Sequence, residues 1–89
     1  MNIKTRACIR KKVMEELEYT DKESMTENIK NIIKSQGQEI EELELGNIIK
    51  NYVRQREEKE EFGINETYLY WLKADVIGNL LLAVEEYKK

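Results

Sequence analysis

Apolar residues return every three or four positions through most of this chain, the period of helices that each bury one side. The pattern is densest from Thr67 to Tyr87. There Leu69, Leu72, Val76, Leu80, Ala83 and Tyr87 share a helical face, and Tyr68, Trp71, Ile77, Leu81, Leu82 and Val84 widen it on both sides. A helix apolar around most of its circumference is normally enclosed by neighbours. The fold expected is therefore all-α: a small bundle of about four helices whose long, strongly apolar C-terminal helix is central.

Three shorter amphipathic segments precede it. Residues 3–18 carry the stripe Ile3, Ala7, Val13, Met14 and Leu17, with Cys8 and Ile9 beside it. The sequence TDKE at 20–23 has the form of a capping box with Thr20 as N-cap and Glu23 three residues on, and Ser24 in SMTE competes one turn later. The helix that follows runs to about Ser35 on Met25, Ile29, Ile32 and Ile33, and Gly37 is placed to end it in the left-handed conformation. Beyond residue 38, Ile40, Leu43, Ile48, Ile49, Tyr52 and Val53 form an apolar side. Gly46-Asn47 is expected to kink or break that helix, because glycine inside a helix costs about 1 kcal/mol relative to alanine. The run RQREEKEEFG reads as a solvated end closing at Gly63. Asn65 or Thr67 then caps the last helix, with Lys88 and Lys89 at its C-terminal end.

Composition narrows the classes. Eighty-nine residues fit one domain spanning 1–89. No proline, four glycines and 37% charged residues suit helices and disfavour a strand-and-turn fold. The single Cys8 can form no internal disulfide, which fits a reducing, cytoplasmic setting. Residues 67–87 have the length of a membrane span, but Lys73, Asp75, Asn79, Glu85 and Glu86 interrupt it. A charge near a bilayer centre costs about 2.5–3.5 kcal/mol on insertion scales, so no membrane association is expected.

The chemistry available is limited. The chain has no histidine, the commonest general base and zinc ligand, and one cysteine is too few for a cysteine-rich zinc site. No phosphate-binding loop, dinucleotide fingerprint or nucleophile elbow is present. The reading is non-enzymatic, with no catalytic residue, metal or cofactor.

Charge is uneven although the net value is only −3. Lys4, Arg6, Arg10, Lys11 and Lys12 form a basic N-terminal half of the first helix, against the helix dipole, with Lys11–Glu15 and Lys12–Glu16 spaced to offset some of that. Glu39, Glu41, Glu42 and Glu44, and later Glu57, Glu58, Glu60 and Glu61, form acidic clusters suited to a basic partner surface. Residues 25–53 have the outline of a helix–turn–helix, but the acids at the start of its second helix would meet DNA phosphates. In the last helix Asp75 reads either as an exposed acid on a narrow polar strip with Lys73 and Asn79, or as a partly buried partner of a base from another helix or chain. Gly78 is either a neutral surface position or a point of close helix approach.

Tyr68, Tyr70 and Trp71 cannot all face one core, and such residues anchor protein interfaces. They mark a partner surface or a homodimer interface. A homodimer, in which a second copy covers part of this surface, is the preferred explanation of a final helix apolar nearly all round. In size and composition the chain is similar to small accessory proteins of phages and mobile elements, anti-CRISPR and other anti-defence inhibitors among them. The function expected is protein binding, in which an inhibitor occludes a surface or blocks a conformational change of a host machine. The alternative is a nucleic-acid-binding regulator using Lys4, Arg6, Arg10, Lys11 and Lys12; a third is a structural subunit of a larger assembly.

Overall fold

The computed structural model describes residues 1–19 and 21–87. Four helices follow in order: α1 (Ile3–Glu16), α2 (Lys22–Ser35), α3 (Glu42–Phe62) and α4 (Glu66–Tyr87). Each helix packs against two others, α1 on α2, α2 on α3, α3 on α4 and α4 on α1, so the four close into a ring. Short connections make successive helices antiparallel, and the bundle is 40 Å long and 24 by 19 Å across. The all-α expectation holds. The central C-terminal helix does not: α4 is the longest and most apolar, yet it occupies one corner of the ring like the others. The core lies between the four corners, where no helix need be surrounded.

The core stripes of α1 and α2 follow strict i, i+4 spacing. In α1 it is Ile9, Val13 and Leu17 that are fully buried. Ile3 is 86% exposed and Ala7 lies in solvent. Ile9, Val13 and Leu17 bury far more apolar area than a face containing Ala7, and that difference sets the rotation of the helix. In α2 Met25, Ile29 and Ile33 are buried and Ile32 is half-buried. In α3 the buried line is Leu45, Ile49 and Tyr52, with Ile40 just ahead of the helix; Leu43 is exposed. Gly46 is not a break, since α3 runs unbroken through it. One internal glycine is outweighed by the burial of Leu45, Ile49 and Tyr52 on either side of it. In α4 the buried set is Leu72, Val76, Ile77, Leu80, Leu81 and Val84, a face rotated from the expected one because α4 serves two neighbours. Tyr87, its last residue, is exposed.

The caps explain where the helices stop. Asn2 Oδ1 accepts from Thr5 N at 2.7 Å and starts α1. The N-cap of α2 is Asp21, which accepts from Glu23 N at 3.1 Å and Ser24 Oγ at 2.6 Å. Ser24 is thus inside the helix and not a competing cap, while Thr20 lies outside the described residues. Gly37, at φ 71°, ends α2 with Gly37 N donating to Lys34 O and Gln38 N to Ile33 O, the paired bonds that only a left-handed residue permits. Gly63, at φ 92°, closes α3, and Asn65 Oδ1 caps α4 through Thr67 N at 2.8 Å. Lys88 and Lys89 lie outside the described residues.

One buried polar contact crosses the bundle diagonally. Tyr52, without solvent exposure, donates its hydroxyl to Leu17 O at 2.6 Å, and Arg56 Nη1 donates to the same carbonyl at 3.1 Å. Leu17 is the C-cap of α1, so its carbonyl has no partner within its own helix. Burial raises the Tyr52 pKa above its ordinary 10.0, and the nearby Arg56 opposes that shift.

Three predictions test these contacts. Leu80→Ala should destabilise by about 2–5 kcal/mol, and Leu82→Ala, on the exposed side, should change stability by no more than about 0.5 kcal/mol. A Cβ at Gly46 meets nothing within 4 Å. Gly46→Ala should therefore stabilise by about 0.5–1 kcal/mol in urea unfolding, and a loss would mean the helix is broken there. Tyr52→Phe should lower stability at neutral pH by about 1 kcal/mol. Because the folded protein holds the Tyr52 proton above the unfolded value, stability is intact below pH 10.0 and declines as pH rises through the folded value. The phenylalanine variant should lose this component of the alkaline decline.

Candidate functional site

Three exposed surfaces carry the residues singled out from the sequence. The first is the end of the bundle where the α1–α2 and α3–α4 connections lie. Phe62 is 84% exposed, Trp71 65%, Tyr70 60% and Tyr19 55%, with Ile64 in the turn also exposed. Tyr70 and Trp71 meet edge to face, 5.7 Å between ring centres at 76°. Tyr68 is separated from them: it is half-buried, and Lys59 Nζ sits 4.7 Å from its ring centre. Tyr19, Phe62 and Ile64 were not singled out from the sequence. Phe62 and Ile64 flank a glycine turn, and an apolar residue at a solvated helix end was the available signal.

The acidic residues divide between the two ends of α3. Glu57, Glu58, Glu60 and Glu61 belong to the aromatic end. Arg54 approaches Glu58 at 3.6 Å and Arg56 Nε approaches Glu60 at 3.5 Å, while Glu57 and Glu61 have no partner among the described residues. Glu39, Glu41, Glu42 and Glu44 lie at the other end, about 20 Å away at 1.5 Å per helical residue. No single acidic surface contains both clusters. Glu42 is engaged with Lys30, a contact that holds its carboxyl below the ordinary 4.5 and the Lys30 ammonium above its ordinary 10.5.

The second surface is a groove along the outside of the α3–α4 seam, enclosing about 300 Å³. Its floor is Ile48, Val76 and Ala83, with Leu82 on the wall. Asn47, Asn51 and Gln55 form one rim at i, i+4, i+8 on α3, and Asp75, Asn79 and Glu86 the other on α4. Glu44 closes the end beside Glu86. Asn51 accepts from Arg54 Nη2 at 2.7 Å; Asn47, Gln55, Asp75 and Asn79 have no hydrogen-bond partner among the described residues. Asp75 is thus an exposed rim acid, not part of a buried pair. Lys73 does not share its strip. It turns inward, and its ammonium emerges to Glu18 at 3.2 Å. A Cβ on Gly78 would meet nothing within 4 Å, so no helix of this chain approaches it closely. The carboxamide line at 47, 51 and 55 was readable as a polar stripe, but only the position of α4 turns it into one wall of a groove.

The third surface is the outer face of α1. Lys4, Arg10, Lys11 and Lys12 are exposed without an acidic partner among the described residues, while Arg6 pairs with Glu85 of α4. The expected Lys11–Glu15 and Lys12–Glu16 pairs do not form. Glu16 accepts instead from Asn28 Nδ2 at 2.6 Å across the α1–α2 seam, and an exposed lysine gains too little from pairing to be held in place. Cys8 is a half-buried free thiol.

Among the described residues, no group of three histidine, cysteine or acidic side chains converges on a point that could hold a metal, and no helix is long and apolar enough to cross a membrane. No known family, curated protein or solved structure matches the chain.

The Lys30–Glu42 contact ties α2 to the start of α3 and makes a pH prediction. Glu42 is depressed, so its contribution is present above pH 4.5 and is lost as pH falls through its folded value. Glu42→Gln should flatten the acid side of the stability profile and leave the profile at pH 6–8 parallel to that of the wild type, read from thermal melts across pH. An unchanged acid limb would place the contact in solvent.

Proposed function

We propose that this chain is a non-enzymatic protein-binding protein that covers a surface of a partner, anchored by the aromatic end of the bundle. The observation carrying this reading is the gathering of Phe62, Tyr70 and Trp71 in solvent at one end, although the bundle has a complete core without them. Exposed aromatic side chains of this size are the usual anchors of interfaces, since each removes a large apolar area from water when a partner covers it. Glu57 and Glu61 beside them give the surface a negative rim, complementary to a basic partner. A small rigid bundle with these features acts by occlusion or by holding a partner in one conformation, the mode of an inhibitor. The anti-defence role of a phage or mobile-element accessory protein is the specific form of this reading that size and composition favour.

The second reading, nucleic-acid binding, is favoured by the unpaired Lys4, Arg10, Lys11 and Lys12 on the outer face of α1. It predicts steep loss of affinity with salt.

One experiment separates them. Tagged chain is used to capture partners from bacterial lysate, with and without nuclease. Trp71→Ser with Phe62→Ser should reduce capture of a defined protein by at least about tenfold while the helical signal and melting temperature persist. Substitution of Arg10, Lys11 and Lys12 by alanine should leave that capture unchanged. Capture that survives the first variant and is lost with the second, or with nuclease, would overturn the protein-binding reading in favour of nucleic acid.

A further inference from the structure

We infer that the α3–α4 groove is a docking site for a cationic amphipathic helix of a partner protein. The inference rests on the protein-binding reading and adds the chemistry of what is bound. Two antiparallel helices side by side leave a straight trough into which the side-chain ridge of a third helix fits. From Glu44 to Gln55 on α3, and from Asp75 to Glu86 on α4, this trough runs about 16 Å, three turns of helix. Apolar side chains at i, i+3/i+4 and i+7 of an incoming helix span about 10 Å, the rise from Val76 to Ala83 along α4, and meet the floor of Ile48, Val76 and Ala83. Ala83 keeps the floor low enough for such a ridge to enter.

Charge selects the occupant. Glu44 and Glu86 stand at one end of the trough and Asp75 toward the other, and no lysine or arginine lines it. Arg54, near the α3 rim, is already engaged by Asn51 and Glu58. An acidic or neutral apolar helix would leave three carboxylates facing it without compensation, whereas lysines or arginines flanking an apolar ridge reach both ends. The free carboxamides of Asn47, Gln55 and Asn79 both donate and accept, so they can meet polar side chains along the flanks of a helix without a charge preference. The axis of the groove points toward the aromatic end, with Lys59 over Tyr68 between the two. Phe62 lies two turns beyond Gln55 on the same side of α3, and Trp71 one turn before Asp75 on the outer side of α4. A helix lying in the trough thus runs toward the aromatic anchors.

The test uses the full chain and two synthetic peptides of about four helical turns, with leucines on one face and either lysines or glutamates on the other. The Leu/Lys peptide should bind and shift the amide resonances of Asn47, Asn51, Gln55, Asp75 and Asn79, with affinity falling as salt rises. The Leu/Glu peptide should leave them in place. Asp75→Lys with Glu86→Lys, both exposed and free of structural contacts, should weaken Leu/Lys binding at least about tenfold with melting unchanged. A matched Ala/Lys peptide that binds equally well would overturn the proposal, since the floor would then contribute nothing. So would shifts confined to Glu39–Glu41 or Glu57–Glu61, which would mark charge attraction alone. The same groove resonances moving on dilution of the chain without peptide would make the occupant a second copy and overturn it too. Failure here with capture still lost in the Trp71 and Phe62 variant would leave the protein-binding reading standing. Peptide binding in the groove with capture unaffected by that variant would support the groove and remove the aromatic end as the anchor.

Discussion

The bundle depends on how it satisfies one carbonyl. Leu17 ends α1, and a helix end buried in a core leaves an acceptor that water cannot reach. Tyr52 reaches diagonally across the core to supply the donor at 2.6 Å, and Arg56, one turn further along α3, adds a second at 3.1 Å. Two helices that are not neighbours in the ring are thereby fixed in register. The chain reversal after α1 can then occur directly over a dry core, because its last buried acceptor is satisfied from the opposite corner. The ammonium of Lys73 held to Glu18 ties the start of α4 to the same end. That end of the bundle is consequently built from contacts between three helices, which gives Phe62, Tyr70 and Trp71 a rigid base. Rigidity there would favour the binding proposed, since less freedom is lost when a partner covers side chains whose backbone is already fixed.

The helices themselves were legible because period and caps agree. The end of α2 at Gly37 and the end of α3 at Gly63 follow from residues whose backbone geometry few others adopt, and Asn65 as a cap follows from its side chain. What periodicity could not resolve was rotation. In α1, Ile3, Ala7 and Met14 compete with Ile9, Val13 and Leu17 as a stripe, and only the buried area each would bring into a shared core decides between them. In α3 the penalty for Gly46 was visible and the compensating burial of Leu45 was not. The centrality of α4 failed for a related reason. Its circumference is apolar because it faces two neighbours and also carries Trp71 and Leu82 outward, and a linear pattern does not separate buried from displayed apolar surface.

The candidate surfaces show the same division. The aromatic residues of α4 and the acids of α3 were identifiable as types, but their grouping was not. Glu39 to Glu44 and Glu57 to Glu61 look like one acidic population in the sequence and stand at opposite ends of one helix in space. Conversely, Asn51 and Asn79 are distant in sequence and face each other across a groove. Grouping depends on α3 and α4 being antiparallel neighbours, which in turn follows from the tight turn at Gly63.

The distribution of unpaired polar groups sets the α3–α4 side apart from the other seams of the bundle. Elsewhere on the bundle, seams are closed by pairs: Arg6 with Glu85 between α1 and α4, Asn28 with Glu16 between α1 and α2, Lys30 with Glu42 between α2 and α3. The α3–α4 seam is bridged at its aromatic end by Lys59 against Tyr68, and among the described residues no side-chain hydrogen bond or ion pair crosses the rest of it. A seam lined by Asn47, Gln55, Asp75 and Asn79 over an apolar floor leaves those polar groups to water. An exposed Leu82 on the same seam adds apolar area to that open side. A partner inserted there would gain both the floor and the free amides without displacing a side-chain pair.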